Sequence, residues 1–104
     1  MTLKEIAILG LLCYQVMDIQ DLIHEYPMVS QEDAISESTL RDVVDRLLKS
    51  RFVRHASTDR NKVEIRIEEA KNGVIWYTAT PQGHDMLRRV RDICERCGLL
   101  RDEK

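Results

Sequence analysis

The sequence predicts a mainly helical α+β domain, and three observations support this. Residues 36–52 carry apolar side chains at the spacing of one helical face, namely Leu40, Val43, Val44, Leu47 and Leu48. Residues 51–80 alternate apolar and charged side chains and contain Asn72-Gly73, a strong signal for a tight β-hairpin. Pro81 then opens another amphipathic helix. A short helix that leads into a charged hairpin and a last helix is the layout of a winged helix-turn-helix.

Length and composition are consistent with one domain, 1–104, in which a winged-helix core, 1–80, precedes a carboxy-terminal helix, 81–98. Hydrophobic residues make up 43% of the 104 residues, enough for a single core. The longest apolar run, Ile6 to Tyr14, is interrupted only by Gly10 and is far shorter than the ~20 residues that cross a bilayer. The sequence shows no secretory signal and has three cysteines, so we expect a cytoplasmic protein with reduced thiols and no membrane partner.

The net charge of −2 hides a gradient along the chain. Residues 1–36 carry a net charge of −5, whereas residues 37–72 carry +2 and residues 73–104 carry +1. The acidic part is the amino-terminal scaffold, and the small basic excess coincides with the predicted recognition helix and wing. Strong sequence-independent binding of DNA by one subunit is therefore not expected.

The first two helices have clear start signals. Thr2 and Glu5 form a capping-box pattern for a helix from about Leu3 to Gln15, which is apolar on nearly every side. Tyr14 on this helix is expected to pack in the core, with a pocket for an effector between subunits as the alternative. Asp18 is predicted to cap a helix over residues 19–25 that ends at Pro27, because proline disfavours helical ψ in the residue before it.

The remaining elements follow in order. After a loop over residues 28–35, Ser36 or Ser38 caps the recognition helix, which is predicted to run to about Ser50. Alternating residues predict strands over 53–57, 63–67 and 74–80, separated by turns at 58–61 and at Asn72-Gly73. Thr80 is predicted to cap the last helix, which runs from Pro81 to about Cys97.

Four segments resemble the PadR-like transcriptional regulators. Residues 8–12, ILGLL, are similar to a run in the first helix of that family, and Ser38-Thr39-Leu40 with the apolar residues after it is similar to its recognition helix. Phe52-Val53 lies where the family enters its first wing strand, and the segment 77–87 is similar to its motif Y-x-L-T-x-x-G-x-x-x-L. Two positions depart from the family pattern: Met17-Asp18 replaces Gly-Tyr, and Arg41 replaces a tyrosine. The resemblance implies a dimeric DNA-binding repressor that dimerises through its carboxy-terminal helix.

Two sets of residues are candidates for DNA binding. On the recognition helix, arginine can bind guanine and aspartate can accept from cytosine, which makes the polar face a candidate reader of base edges: Ser38, Thr39, Arg41, Asp42, Asp45, Arg46 and Lys49. On and near the wing, cationic side chains could contact phosphates: Arg54, His55, Arg60, Lys62, Arg66 and Lys71. The alternative is a solvated surface with internal ion pairs, such as Asp42–Arg46 and Asp45–Lys49.

The last helix carries an apolar stripe that we interpret as the dimer contact: Leu87, Val90, Cys94 and Cys97. Cys94-x-x-Cys97 is half of a zinc or redox motif, but no second pair of ligands follows at a suitable spacing. We therefore predict no metal and no other cofactor, with an intersubunit disulfide conceivable on oxidation.

The sequence thus favours a sequence-specific regulator of transcription, a homodimeric repressor on double-stranded operator DNA. Whether it also responds to a small-molecule effector is left open. No paired histidine and nucleophile, phosphate loop or carboxylate pair indicates an enzyme. The alternatives are a winged helix that binds proteins instead of DNA, and a thiol- or metal-responsive regulator that uses Cys94 and Cys97.

Overall fold

The computed structural model describes residues 1–30, 34–58, 64–65 and 75–96. In chain order the elements are α1 (Leu3–Tyr14), β1 (Met17–Asp18), α2 (Ile19–Ser30), α3 (Glu37–Lys49), β2 (Val53–Thr58), β3 (Glu64–Ile65), β4 (Trp76–Ala79) and α4 (Pro81–Arg96). The predicted α+β, mainly α, winged-helix fold is confirmed. The order of helices and strands is the predicted one, apart from β1.

The predicted starts of the helices are confirmed by their hydrogen bonds. The Thr2 hydroxyl accepts from the backbone N–H of Glu5 at 3.2 Å and begins α1. The Asp18 carboxylate accepts from the N–H of Asp21 at 2.7 Å and begins α2. Each of these bonds provides a partner for an N–H that the first turn of a helix leaves unpaired.

The predicted end of α2 is wrong, because the helix continues through Pro27 to Ser30. Proline removes one helical N–H, but Pro27 lies near the end of the helix, where few such bonds remain to be lost. Tyr26 is buried in the core and holds this turn in place, and the Ser30 hydroxyl donates to the Tyr26 carbonyl at 2.8 Å. Tertiary packing of Tyr26 therefore outweighs the preference of the residue before a proline for non-helical backbone.

The sheet has four strands in the order β1-β4-β2-β3, all paired antiparallel within the described residues. The strand β1 was not predicted; it pairs Met17 with Tyr77 and Asp18 with Trp76. Strand β2 pairs with β4 from Val53↔Ala79 to Ala56↔Trp76, and its end pairs with β3. The turn predicted at 58–61 is wrong at its first residue, because Thr58 is the last residue of β2 and pairs with Glu64. Residues 59–61 and the turn predicted at Asn72-Gly73 lie outside the described residues.

One hydrophobic core joins the first three helices to the sheet. Its fully buried side chains come from α1, α2 and α3, and they are Ile8, Leu9, Leu12, Leu22, Tyr26, Leu40, Val43 and Leu47. Val53, Tyr77 and Ala79 close the core from the sheet. None of the helices in the described part of the chain has the length and apolar character needed to span a bilayer.

Candidate nucleic-acid interface

Helix α3 is fixed at both ends by specific hydrogen bonds. The Ser36 hydroxyl accepts from the Thr39 N–H at 3.2 Å, so Ser36 rather than Ser38 is the N-cap. At the other end, the N–H groups of Arg51 and Phe52 donate to the carbonyls of Leu48 and Leu47, each at 3.0 Å. This is the Schellman pattern, and it requires a left-handed residue, here Arg51 with φ of 63°. The helix therefore has a defined length and a defined exit toward β2.

The face of α3 that points away from the core is polar and exposed. The four residues opposite the buried stripe follow the spacing i, i+4, i+7, i+11, and they are Ser38, Asp42, Asp45 and Lys49. Arg41 and Arg46 lie on the two flanks of this row and are also exposed. We call these six residues together with Thr39 the α3 surface. It includes all the residues of the recognition helix that the sequence analysis selected for DNA binding.

Each of the three cations of the α3 surface is held by a carboxylate. Arg41 Nε lies 3.4 Å from Glu37 Oε2, and Lys49 Nζ lies 3.0 Å from Asp45 Oδ2. The predicted Asp45–Lys49 pair is thus present. Arg46 pairs instead with a residue of α1, because its Nε lies 3.4 Å from Glu5 Oε1. The expected Asp42–Arg46 pair is therefore replaced by a contact between helices.

Arg41 is exposed on the flank of α3 and also lies near the sheet. A shallow cavity of about 330 Å³ is lined by Arg41, Asp42, Asp45 and Tyr77, together with apolar residues of α2 and α3. Burial raises the pKa of the Tyr77 phenol, and the positive charge of Arg41 lowers it in part. Arg41 thus connects the flank of α3 electrostatically to strand β4.

The wing candidates are described only in part. Arg54 is exposed on β2, and its Nη1 donates to the carbonyl of His55 at 3.3 Å. The exposed His55 ring contacts the Tyr77 ring in a tilted geometry, with a centroid distance of 5.3 Å, and the two residues are paired across β2 and β4. The other four candidates lie outside the described residues: Arg60, Lys62, Arg66 and Lys71.

Helix α4 leaves its apolar stripe only partly covered. Gly83 is its one buried residue, and Leu87, Val90 and Cys94 are half-buried. Ile93, on the same side, is 58% exposed. Cys97, the fourth residue of the predicted dimer contact, lies outside the described residues. An amphipathic helix with this much uncovered apolar surface is typical of a contact with another protein surface.

A groove runs beside this stripe between α1, α2 and α4. Its volume is about 630 Å³ and its lining is mostly apolar, namely Ile6, Ala7, Gly10, Leu11, Tyr14, Gln15, Met17, Glu25, Val29 and Leu87. We call it the α1 groove. Tyr14 is 84% exposed there, so the prediction that it packs in the core is wrong. One face of the apolar α1 faces the groove and not the core, which periodicity alone does not reveal.

The cysteines are not part of a metal-binding cluster among the residues that the structure describes. No group of three or more histidine, cysteine, aspartate or glutamate side chains could hold an ion within these ranges. Cys13 and Cys94 are free thiols. Burial raises the pKa of the Cys13 thiol, which lowers the fraction of reactive thiolate.

Sequence reasoning missed two features of this region. The contact between Glu5 and Arg46 joins residues far apart in the chain, and only the close approach of α1 and α3 brings them together. The α1 groove was also missed, although the continuous apolar run from Ile6 to Tyr14 contained a signal. A helix that is apolar on nearly every side needs packing partners on every side. A domain of this size provides partners for only part of its surface.

The fold is shared by known regulators, although no family model and no curated protein sequence matches the chain. A PadR-like transcriptional regulator from Bacillus cereus is 14% identical with a TM-score of 0.68, over 95% of this chain and 92% of that one. Bacillus subtilis PadR in complex with operator DNA is 20% identical with a TM-score of 0.59, over 96% of this chain. A mutant of Lactococcus lactis ZitR in its apo form is 16% identical with a TM-score of 0.65, over 92% of this chain.

These comparisons confirm that the chain has the fold of the PadR-like transcriptional regulators, as the sequence motifs implied. The chain spans 60% of the ZitR chain and 48% of the B. subtilis PadR chain.

Proposed function

We propose that this protein is a sequence-specific DNA-binding regulator of transcription that acts as a dimeric repressor in the cytoplasm. The observation that carries the proposal is the α3 surface, an exposed polar face on a helix whose two ends are fixed. A helix of this size fits the major groove, where arginine and aspartate can distinguish base edges. The support from comparison is that a protein of the same fold, B. subtilis PadR, is bound to operator DNA.

The proposed dimer contact is formed by the apolar stripe of α4 and the adjoining α1 groove. Both are apolar, both are only partly covered in one chain, and Leu87 belongs to both. A second copy of the chain brings the same pair of surfaces, so a twofold arrangement can cover all of them at once. Two copies of α3 would then enter successive major grooves about 34–36 Å apart on a palindromic operator. A small-molecule effector that enters the α1 groove would act on this contact.

The experiment that tests DNA binding is fluorescence anisotropy with the upstream DNA of the protein's own gene and a scrambled duplex, over a series of salt concentrations. We expect tight binding to the native duplex with a steep negative salt dependence, and much weaker binding to the scrambled duplex. Absence of binding to both duplexes at low salt would contradict the proposal.

Arg41→Ala is expected to weaken operator binding by about 1–3 kcal/mol and to relax base preference, because arginine at this position can bind guanine through two hydrogen bonds. Arg89→Ala is the matched control, since Arg89 is an exposed arginine on α4. Operator titrations of both variants give the answer. An Arg41→Ala protein with unchanged affinity would exclude Arg41 from base recognition.

A second candidate function is a winged helix that binds another protein. The observation in its favour is the balance of charge on α3, which has three acidic and three basic residues. Such a surface attracts DNA weakly and suits a polar protein interface. This function would be supported if the chain binds neither DNA duplex at low salt but binds a specific partner protein.

A third candidate function is a thiol- or metal-responsive regulator, which rests on the half-buried Cys94 and on Cys97 three residues farther along the chain. It predicts stoichiometric metal in protein purified without chelator, or a loss of operator binding on mild oxidation. Metal analysis that finds less than about a tenth of an equivalent of zinc or iron per chain would reject the metal version, since a site needs full ligation to hold its ion.

A further inference from the structure

The cations of α3 do not face solvent as independent charges. Arg41, Arg46 and Lys49 each lie within 3.4 Å of a carboxylate oxygen, and these carboxylates belong to Glu37, Glu5 and Asp45. We call Glu5, Glu37 and Asp45 the clamp carboxylates. The positive charge that would approach DNA is therefore neutralised in the free protein by residues of the protein itself.

Two of the clamps are built into the helix and one is built into the fold. Glu37–Arg41 and Asp45–Lys49 are i, i+4 pairs with the acid on the amino-terminal side, the favourable order. Glu5 lies on α1, and its side chain is only 16% exposed. Its Oε1 also accepts from the Thr2 hydroxyl at 3.2 Å, so the carboxylate is held in place behind Arg46.

Non-specific DNA binding depends almost entirely on contacts between cations and phosphates. A cation that stays in its clamp contributes no net charge, and one that leaves its clamp exposes a carboxylate close to the phosphates. At an operator, by contrast, a released arginine can bind guanine and a released aspartate can accept from cytosine, so base contacts replace the lost ion pair. The clamps thus suppress the part of binding that carries no sequence information.

We infer that Glu5, Glu37 and Asp45 are specificity-determining residues, which keep the affinity for non-operator DNA low by neutralising Arg46, Arg41 and Lys49. This inference rests on the proposed function and adds to it the source of discrimination. Breaking these ion pairs costs free energy on any DNA. Only a matching sequence offsets this cost, because it supplies base edges that bind the released side chains.

The test uses Glu5→Gln, Glu37→Gln and Asp45→Asn in the full chain, titrated against the operator and the scrambled duplex over a salt series. Each variant removes one negative charge and keeps the shape of the side chain. Affinity for the scrambled duplex is expected to rise about two- to fivefold per variant, the range set by an exposed ion pair. The slope of log affinity against log salt should steepen by about 0.9 for each released cation. The ratio of operator to scrambled affinity should fall.

Glu95→Gln is the matched control, because it removes the same charge from a pair of the same geometry on α4, with Arg91 Nε 3.3 Å from Glu95 Oε1. It should leave both titrations unchanged, and thermal melts should show all four variants folded. If wild type discriminates the operator but the clamp variants match Glu95→Gln, the inference is overturned while the proposed function stands. If neither wild type nor any variant binds either duplex, both are overturned.

Discussion

Thr80 connects three elements through one side chain and one amide. Its hydroxyl donates to the Arg51 carbonyl at 2.6 Å and accepts from the Gly83 N–H at 3.0 Å. Its N–H donates to the Phe52 carbonyl at 3.0 Å. The cap of α4, the exit of α3 and the start of β2 therefore meet at this residue. The sequence predicted the cap, because threonine followed by proline is a helix-start signal.

Gly83 packs directly against the backbone at this junction. A Cβ added there would collide with the carbonyl oxygen of Phe52, which is backbone and cannot rotate away. Gly83→Ala is therefore expected to lower the free energy of unfolding by about 3 kcal/mol. Gly10→Ala is the control, because no atom lies within 4 Å of its added Cβ, and alanine in a helix should raise stability by roughly 1 kcal/mol. Urea unfolding of both variants checks the difference, and two equal changes would contradict this account.

Arg51 adopts a left-handed conformation, with φ of 63°, at the end of α3. A side chain at this position is strained, whereas glycine is not. Arg51→Gly is expected to raise the free energy of unfolding by about 1 kcal/mol. Arg51→Ala keeps the strain and loses the same charge, so it should leave stability nearly unchanged. A thermal melt in which alanine stabilises as much as glycine would assign the effect to charge instead. No glycine marks this position in the sequence, which is why its geometry could not be predicted.

Helix α3 depends on its first hydrogen-bonded turn. Ser36 is the cap, whereas Ser38 lies two residues farther on the exposed face, although the sequence allowed either. Ser36→Ala should lower the free energy of unfolding by about 1 kcal/mol, the usual loss for a serine cap. Ser38→Ala should change it little. Chemical denaturation of both proteins distinguishes the two serines, and an equal loss from both would reject Ser36 as the single cap.

The boundaries of α2 show where sequence reasoning ends. Its start was predictable, because Asp18 is a strong cap and its carboxylate needs only local partners. Its end was not, because Tyr26 enters a core whose other walls come from α1 and α3. Strand β1 was missed for a similar reason: two residues carry no alternation, and Met17 is extended only because β4 pairs with it. Long-range partners determined the features that local patterns could not.

The described elements share one core but leave an apolar groove along α1, α2 and α4. Val90→Asp places a charge in the stripe of α4 and should convert the proposed dimer to monomers. Operator binding should weaken greatly, because each monomer then binds its half-site separately. Gln82→Asp adds the same charge to the exposed first turn of α4 and should leave the dimer intact. Sedimentation velocity measures both. A wild-type protein that is monomeric at micromolar concentration would contradict the proposed dimer.

The fold as a whole followed from the helix periodicity, the hairpin pattern and the caps, each of which is local. The α3 surface followed as well, since a buried stripe at Leu40, Val43 and Leu47 defines the opposite face. The pairing of Arg46 with Glu5 did not, because it depends on how two helices cross.

The junction at Thr80 has a mechanical consequence for a dimer. Helix α4 has 16 residues, about 24 Å, and its cap is hydrogen-bonded to the exit of α3, so in the proposed dimer it would act as a lever arm with its pivot at that junction. A tilt of about 10° at the pivot moves the far end of the arm by about 4 Å. Conversely, if the two copies of α4 in the proposed dimer slide past each other by a few ångströms, the spacing and angle between the two copies of α3 change. A molecule bound between the two arms would then alter the fit to the proposed operator without contacting the α3 surface.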